Sequence, residues 1–285
     1  MPNPARSFIT VAVLIAACAA TVATAQNRRI EELTRKSGLW EQVTQMRAQM
    51  KAGVMEARRH ARASGQNLLD DESLAKLTAA IDRSFAPEVL RETMTLYMEE
   101  YVTPEDEVEV LRWLSSDLGS RFTRMEVAAG EVAEIRKAEA EAPKLRAALS
   151  KPRLEKYQRL ASSLDAGNTT VLLTINLTSA IVYGVSLVTP GTDADGAAKE
   201  IRRRMETQRA EMVKYFADRS IQTYSYVYRN ANDEQMETYV KFAESPAARR
   251  YHAAGIRALD QTISQAAIAL GQDLGVSLQQ RSNQS

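Results

Sequence analysis

The sequence predicts an all-α protein, and three observations carry that prediction. Ala, Glu, Arg, Leu and Met, all strong helix formers, are plentiful, whereas Gly (12) and Pro (8) are sparse for 285 residues. After Gln26, apolar residues recur almost continuously at three- and four-residue steps, the spacing that gathers them on one helical face. β-Branched residues cluster in a single segment, 171–188, so strand-forming stretches are rare elsewhere.

At the N-terminus, Arg6 precedes an apolar run, FITVAVLIAAC over 8–18, and small residues follow as far as Ala25. That is the anatomy of a secretory signal peptide over residues 1–25. A membrane anchor needs roughly 20 strongly apolar residues, and this run fades into Ala and Thr. Cleavage is expected after Ala23-Thr24-Ala25, leaving Gln26 first. A second cut stays open, because Ile15-Ala16-Ala17-Cys18 resembles a lipobox in which Cys18 would be lipidated and retained. Either cut exports the chain, to the periplasm or beyond. Cys18 is the only cysteine, so cleavage at Ala25 leaves no disulfide, thiol or Cys-zinc chemistry. The fold must then rest on its core, and about 260 residues suffice, since such chains bury roughly three quarters of their unfolded surface.

Each element follows in order. A short helix over 28–36 leads to Ser37-Gly38, and a longer one spans 39–63 with Val43, Met46, Met50 and Val54 as its buried stripe. Ser64-Gly65-Gln66-Asn67 breaks it. A helix over 70–84 turns Leu74, Leu77 and Ile81 inward, and Pro87 opens another over 88–101 with Leu90, Met94, Tyr97 and Met98 inside. Thr103-Pro104-Glu105-Asp106 is a helix start: Thr caps free amides, Pro occupies a position needing no donor, and the acids suit the positive end of the dipole. That helix carries Val110, Leu111, Trp113 and Leu114 and is expected to end near Asp117-Leu118-Gly119. A long Ala- and Glu-rich helix then runs to about Glu141, and Pro143 and Pro152 bracket a joint.

The second half repeats this plan. Adding 129 carries Gly38 to Gly167, in the break before a long apolar helix, Tyr97 to Tyr226, and Thr103 to the cap Asn232. It carries Trp113 to Phe242, Arg121 to Arg250 and Phe122 to Tyr251. An ungapped register of caps, aromatics and breaks points to duplication. The expected architecture is two tandem helical repeats, over 26–150 and 151–285, of antiparallel helices packed into one elongated or curved body.

The run YVTPEDEVEVLRWLSSDLGSRF from Tyr101 to Phe122 resembles the signature of the bacterial family called domain of unknown function 2059. That signature has a TPEE-type helix start, an apolar-aromatic stretch, a Ser-Pro-x-Gly break and a second long helix. NDEQMETYVKFAESPAARRY from Asn232 to Tyr251 resembles it again, with Glu244-Ser245-Pro246 matching closely. Asp117-Leu118 replaces the Ser-Pro neighbourhood, and Ala247-Ala248 stands where the family has Gly. The resemblance implies an exported helical protein without an assigned activity, so it transfers no functional residue.

Candidate chemistry is thin. Basic and acidic residues balance at 37 and 36 and interleave, unlike a stripe that tracks phosphates, so nucleic acid is not an expected partner. The two histidines of the chain, His60 and His252, are far apart. The carboxylate nearest to His60, Glu56, lies among Arg58, Arg59 and Arg62, whose charge disfavours a metal. Gly191-Thr192-Asp193-Ala194-Asp195-Gly196 lacks the third ligand and the twelfth-position Glu of a calcium loop, and a capped turn explains it. Adjacent acids such as Glu99-Glu100 and Asp70-Asp71 point apart on a helix. No Gly-x-Ser-x-Gly elbow or phosphate-cradling glycine loop occurs. No catalytic, cofactor-binding or metal-ligating residue is assigned, and no cofactor is expected.

The uncharged segment 171–188 leaves three readings open: a helix buried on all sides, a membrane insertion, or a pocket wall lined by Thr174, Asn176, Thr178 and Ser179. Tyr224, Tyr226 and Tyr228 spread over about half of a helix and should reach a surface or the seam between repeats, where a ligand or partner is to be sought. Two functions remain. One is a non-catalytic envelope module that binds or scaffolds, taking an envelope protein or an apolar ligand near 171–188. The other is a hydrolase whose carboxylates converge only in the fold, in a pocket holding at least two perturbed acids.

Overall fold

Helix boundaries in this protein are set by local chemistry that can be named turn by turn. The structure, a computed structural model, describes residues 28–65, 70–187, 189 and 191–282. The expected signal peptide, Cys18 and Gln26, Gln66 and Asn67 of the first break, and Val188 lie outside the described residues. Among those described there are 13 helices and no strand, so the protein is all-α. Helix α1 covers 28–36. It is followed by α2 (Leu39–Ala63), α3 (Asp71–Ser84), α4 (Pro87–Tyr101), α5 (Pro104–Leu114), α6 (Asp117–Ala129) and α7 (Val132–Ala147). Then come α8 (Lys151–Ser163), α9 (Ala166–Leu187), α10 (Ala194–Glu206), α11 (Arg209–Val227), α12 (Asp233–Glu244) and α13 (Pro246–Ser282).

Most starts are capped as the residue types dictate. Asp70, Thr103 and Ser150 accept from the backbone amide three residues on, at Ser73, Asp106 and Arg153. Asn232 and Gln235 close a reciprocal capping box at the head of α12, which satisfies two amides that the helix cannot.

Four boundaries differ from the expectation. Asp117-Leu118-Gly119 does not end α5; Ser116 caps a new helix there by accepting from the Gly119 amide at 3.0 Å. The long Ala- and Glu-rich helix is broken at Gly130. The freed carbonyls are taken by α2: Gln45 donates to Val127 O at 3.0 Å and Gln49 to Gly130 O at 2.7 Å. Pro143 lies inside α7 rather than at a joint; the joint is at 148–150. Gly167 is in the first turn of α9, where an added Cβ would meet Val213 O at 2.6 Å, so it serves close packing against α11. The turn itself is made by Asp165, at φ 44°, a left-handed conformation that Asp tolerates better than most residues.

Helix α9 is not buried on all sides. It packs against α13, α10 and α11, yet only 33% of its most apolar stretch is buried. Length and composition alone would allow it to cross a membrane. Its contact with α13 is backbone to backbone: a Cβ on Gly184 would stand 2.2 Å from Ile268 O, and one on Gly271 2.4 Å from Ile181 O. Small residues are what permit two helix axes to approach this closely.

The two halves share their cores. Phe85, Leu90, Met94 and Met98 of the first half are buried together with Ala258 and Leu270 of α13. Phe122 is buried among Tyr157, Tyr228, Met236 and Val240 of the second half. Each such side chain stabilises the fold by roughly 1.5–3 kcal/mol when removed from water.

Two pairs of residues at the 129-residue offset both reach the other half, though to partners that are not themselves counterparts. Tyr97 Oη accepts from Gln265 at 2.6 Å, and its counterpart Tyr226 donates to Glu134 at 2.7 Å. Arg250 binds the Asp106 carboxylate, and its counterpart Arg121 donates to Asn230 O at 2.7 Å. The halves differ where α13 runs unbroken past 259, with Leu259 at the position 129 residues after Gly130.

Candidate ligand cavity at the seam

Thr103 and Asn232 cap α5 and α12. Trp113 of α5 and Phe242 of α12 meet face to face, with centroids 4.5 Å apart and planes 12° from parallel. Beside them is a cavity of about 280 Å³, near the lower end of small-molecule sites. Its wall is built largely from counterpart positions. Trp113 and Phe242, Phe122 and Tyr251, and Glu126 and Gly255 all line it, each pair 129 residues apart.

The polar groups do not follow that symmetry. Glu126 Oε1 accepts two phenolic hydroxyls, from Tyr228 at 2.7 Å and Tyr239 at 2.6 Å. Its other oxygen, Oε2, has no hydrogen-bond partner among the described residues. Burial raises the pKa of Glu126 above the usual carboxylate value, and the two phenols pull it part of the way back down. Burial also holds Tyr228 and Tyr239 well above the usual phenol range, with the Glu126 charge adding to it. Both tyrosines therefore stay protonated and donating.

On the other side, His252 Nε2 lies 2.8 Å from Leu164 O. A carbonyl only accepts, so Nε2 carries the proton and Nδ1 of the neutral ring is an acceptor. Burial lowers the His252 value below 6.5, against the Leu164 contact and the Asp165 charge. Tyr251 Oη is buried, with no hydrogen-bond partner in good geometry among the described residues. Glu126 is the only carboxylate among the described residues lining the cavity, and no Lys or Arg lines it. An added Cβ on Gly255 meets nothing within 4 Å.

The structure sorts the sequence candidates clearly. His252 lines the cavity, whereas His60 is exposed and lies 3.0 Å from Glu56. Among the described residues no group of three or more His, Cys, Asp or Glu side chains gathers that could hold a metal. Asp193 caps α10 by accepting from the Gly196 amide at 3.0 Å. Thr174 and Thr178 bond back to the carbonyls of Thr170 and Thr174, and Asn176 donates to Asp260. Ser179 is buried, and its hydroxyl has no partner among the described residues. No described residue of α9 lines this cavity.

The three tyrosines are on a helix and its end. Tyr224 and Tyr228 join the cluster around Phe122, and Tyr226 is buried against α7. Sequence reasoning missed Glu126. Its signal was its place four residues after Phe122 on one helix, an acid on the same face as a core aromatic.

No family model, curated protein or solved structure matches the chain.

Proposed function

We propose that this is an exported envelope protein that binds a small, mainly apolar molecule in the cavity between its two halves. The observation that carries the reading is an aromatic-walled cavity at the seam with one unpartnered carboxylate oxygen. Concave, mostly apolar sites with a few convergent polar groups are where small molecules bind. Export rests on the signal-peptide pattern of residues 1–25 and on the resemblance to the domain of unknown function 2059 family. The hydrolase reading expects at least two perturbed acids in one pocket, and among the described residues lining this cavity Glu126 is the only acid. The binding reading therefore has more support than the catalytic one.

The test is native mass spectrometry of the full chain recovered from envelope fractions of its host. The reading expects a non-covalent small-molecule adduct that leaves on denaturation and is absent from Gly255→Phe, whose ring would fill the cavity. An adduct-free wild type that no apolar probe stabilises would contradict it. The same spectra show whether the chain begins at Gln26 or at a lipidated Cys18.

A further inference from the structure

The chemistry of the cavity wall selects a class of ligand, on the premise that the cavity is a binding site. We infer that it takes an organic ammonium ion with an apolar body, its cationic head against Glu126 and the rings beside it, and its body toward Gly255.

Charge is the first argument. Among the described residues lining the cavity, the only group able to carry charge besides His252 is the carboxylate of Glu126. His252 is held neutral by burial and presents Nδ1 as an acceptor. An anion would find no cationic partner. A cation finds one carboxylate, whose attraction is strengthened where water is excluded.

The carboxylate is also prepared for the task. Tyr228 and Tyr239 both donate to Oε1. Such charge-assisted bonds fix the side chain and offset part of the burial that favours its neutral form, and a bound cation would favour the ionised form further. Oε2 is left without a protein partner, so a ligand can engage it without displacing an existing bond.

The rings supply the third argument. Trp113, Phe122, Tyr239 and Phe242 form a contiguous ring cluster: Trp113 stacks on Phe242 and on Tyr239, the latter with centroids 5.9 Å apart, and Phe122 is tilted against Tyr239 at 4.4 Å. Aromatic faces attract alkylammonium groups through the ring quadrupole, and the attraction grows when the cation is desolvated. A plain hydrocarbon would gain the apolar contacts but offer Oε2 no partner. The opening at Gly255, across the seam from Glu126, gives the apolar body room.

Isothermal titration of the full chain with three isosteric probes tests this. The probes are benzyltrimethylammonium, neutral neopentylbenzene and anionic benzylsulfonate. The inference expects benzyltrimethylammonium to bind at least tenfold more tightly than neopentylbenzene, with no detectable binding of benzylsulfonate. It also expects Glu126→Gln, which keeps an acceptor for both tyrosines, to bring cation and neutral probe within about threefold of each other. Should Glu126→Gln fail to fold, the three-probe comparison on the wild type still decides. Equal or tighter binding of neopentylbenzene would overturn the cation inference and leave the cavity a site for apolar ligands. Failure of all three probes to bind would overturn the ligand site itself.

Discussion

Trp113 and Phe242 stand at the same place in the two halves, 129 residues apart, and their rings stack at 4.5 Å. The stack therefore marks where the halves are joined, and the cavity lies against it. Truncating either residue should cost about 2–4 kcal/mol, below the full range for core aromatics because both rings are half-buried. A double-mutant cycle of Trp113→Ala and Phe242→Ala should return a coupling of roughly 0.5–1.5 kcal/mol. Urea unfolding followed by circular dichroism measures both. Additive losses would mean that the rings do not support each other.

Because the halves share buried clusters, the chain should unfold as one unit. Far-ultraviolet circular dichroism and tyrosine emission should give superimposable urea transitions. Two separated transitions would show that each half holds its own core, contrary to the placement of Ala258 and Leu270 among first-half residues.

The α9–α13 contact predicts substitutions of opposite sign. Gly184→Ala and Gly271→Ala place a Cβ against backbone, which cannot swing aside. Each should lose about 1–3 kcal/mol, or roughly 2–4 °C in melting temperature per kcal/mol for a chain of this size. Gly53→Ala, in an exposed stretch of α2 with nothing within 4 Å of the new Cβ, should gain about 0.5–1 kcal/mol. Thermal melts of the three variants check the signs.

His252 makes stability depend on pH. Burial holds its folded value below 6.5, so between the two values the unfolded chain binds more protons. The His252 contribution is fully present above pH about 6.5 and is lost as pH falls through the folded value, at no more than about 1.4 kcal/mol per pH unit. Glu126, raised by burial, has the opposite sign: its contribution is present at low pH and is lost as pH rises through its folded value. Urea midpoints between pH 7.5 and 5.5 should fall in the wild type and fall less in His252→Gln, which can still donate to Leu164 O. An unchanged slope in the variant would assign the dependence to another group.

The helical class and most boundaries were legible because they depend on neighbours in sequence: Thr103, Asn232 and Pro87 do locally what their types require. The break at Gly130 was not, because glutamines more than 80 residues away, Gln45 and Gln49, cap the end of α6. The tight approach of Gly184 to Gly271 was hidden for the same reason. Within the site, the register that matched Trp113 to Phe242 and Phe122 to Tyr251 contained the cavity wall in outline. Glu126 escaped notice because its counterpart is Gly255, and its partners Tyr228 and Tyr239 reach it only through the packing of the halves.

The most direct test of a ligand site at the seam uses Trp113 as the reporter. The chain has two tryptophans, so Trp40→Phe leaves only the one that lines the cavity. Its emission should be followed while benzyltrimethylammonium and then toluene are titrated. The account predicts a saturable, one-to-one change with at least one probe, abolished by Gly255→Phe. No change with either probe, or a change that survives Gly255→Phe, would contradict it.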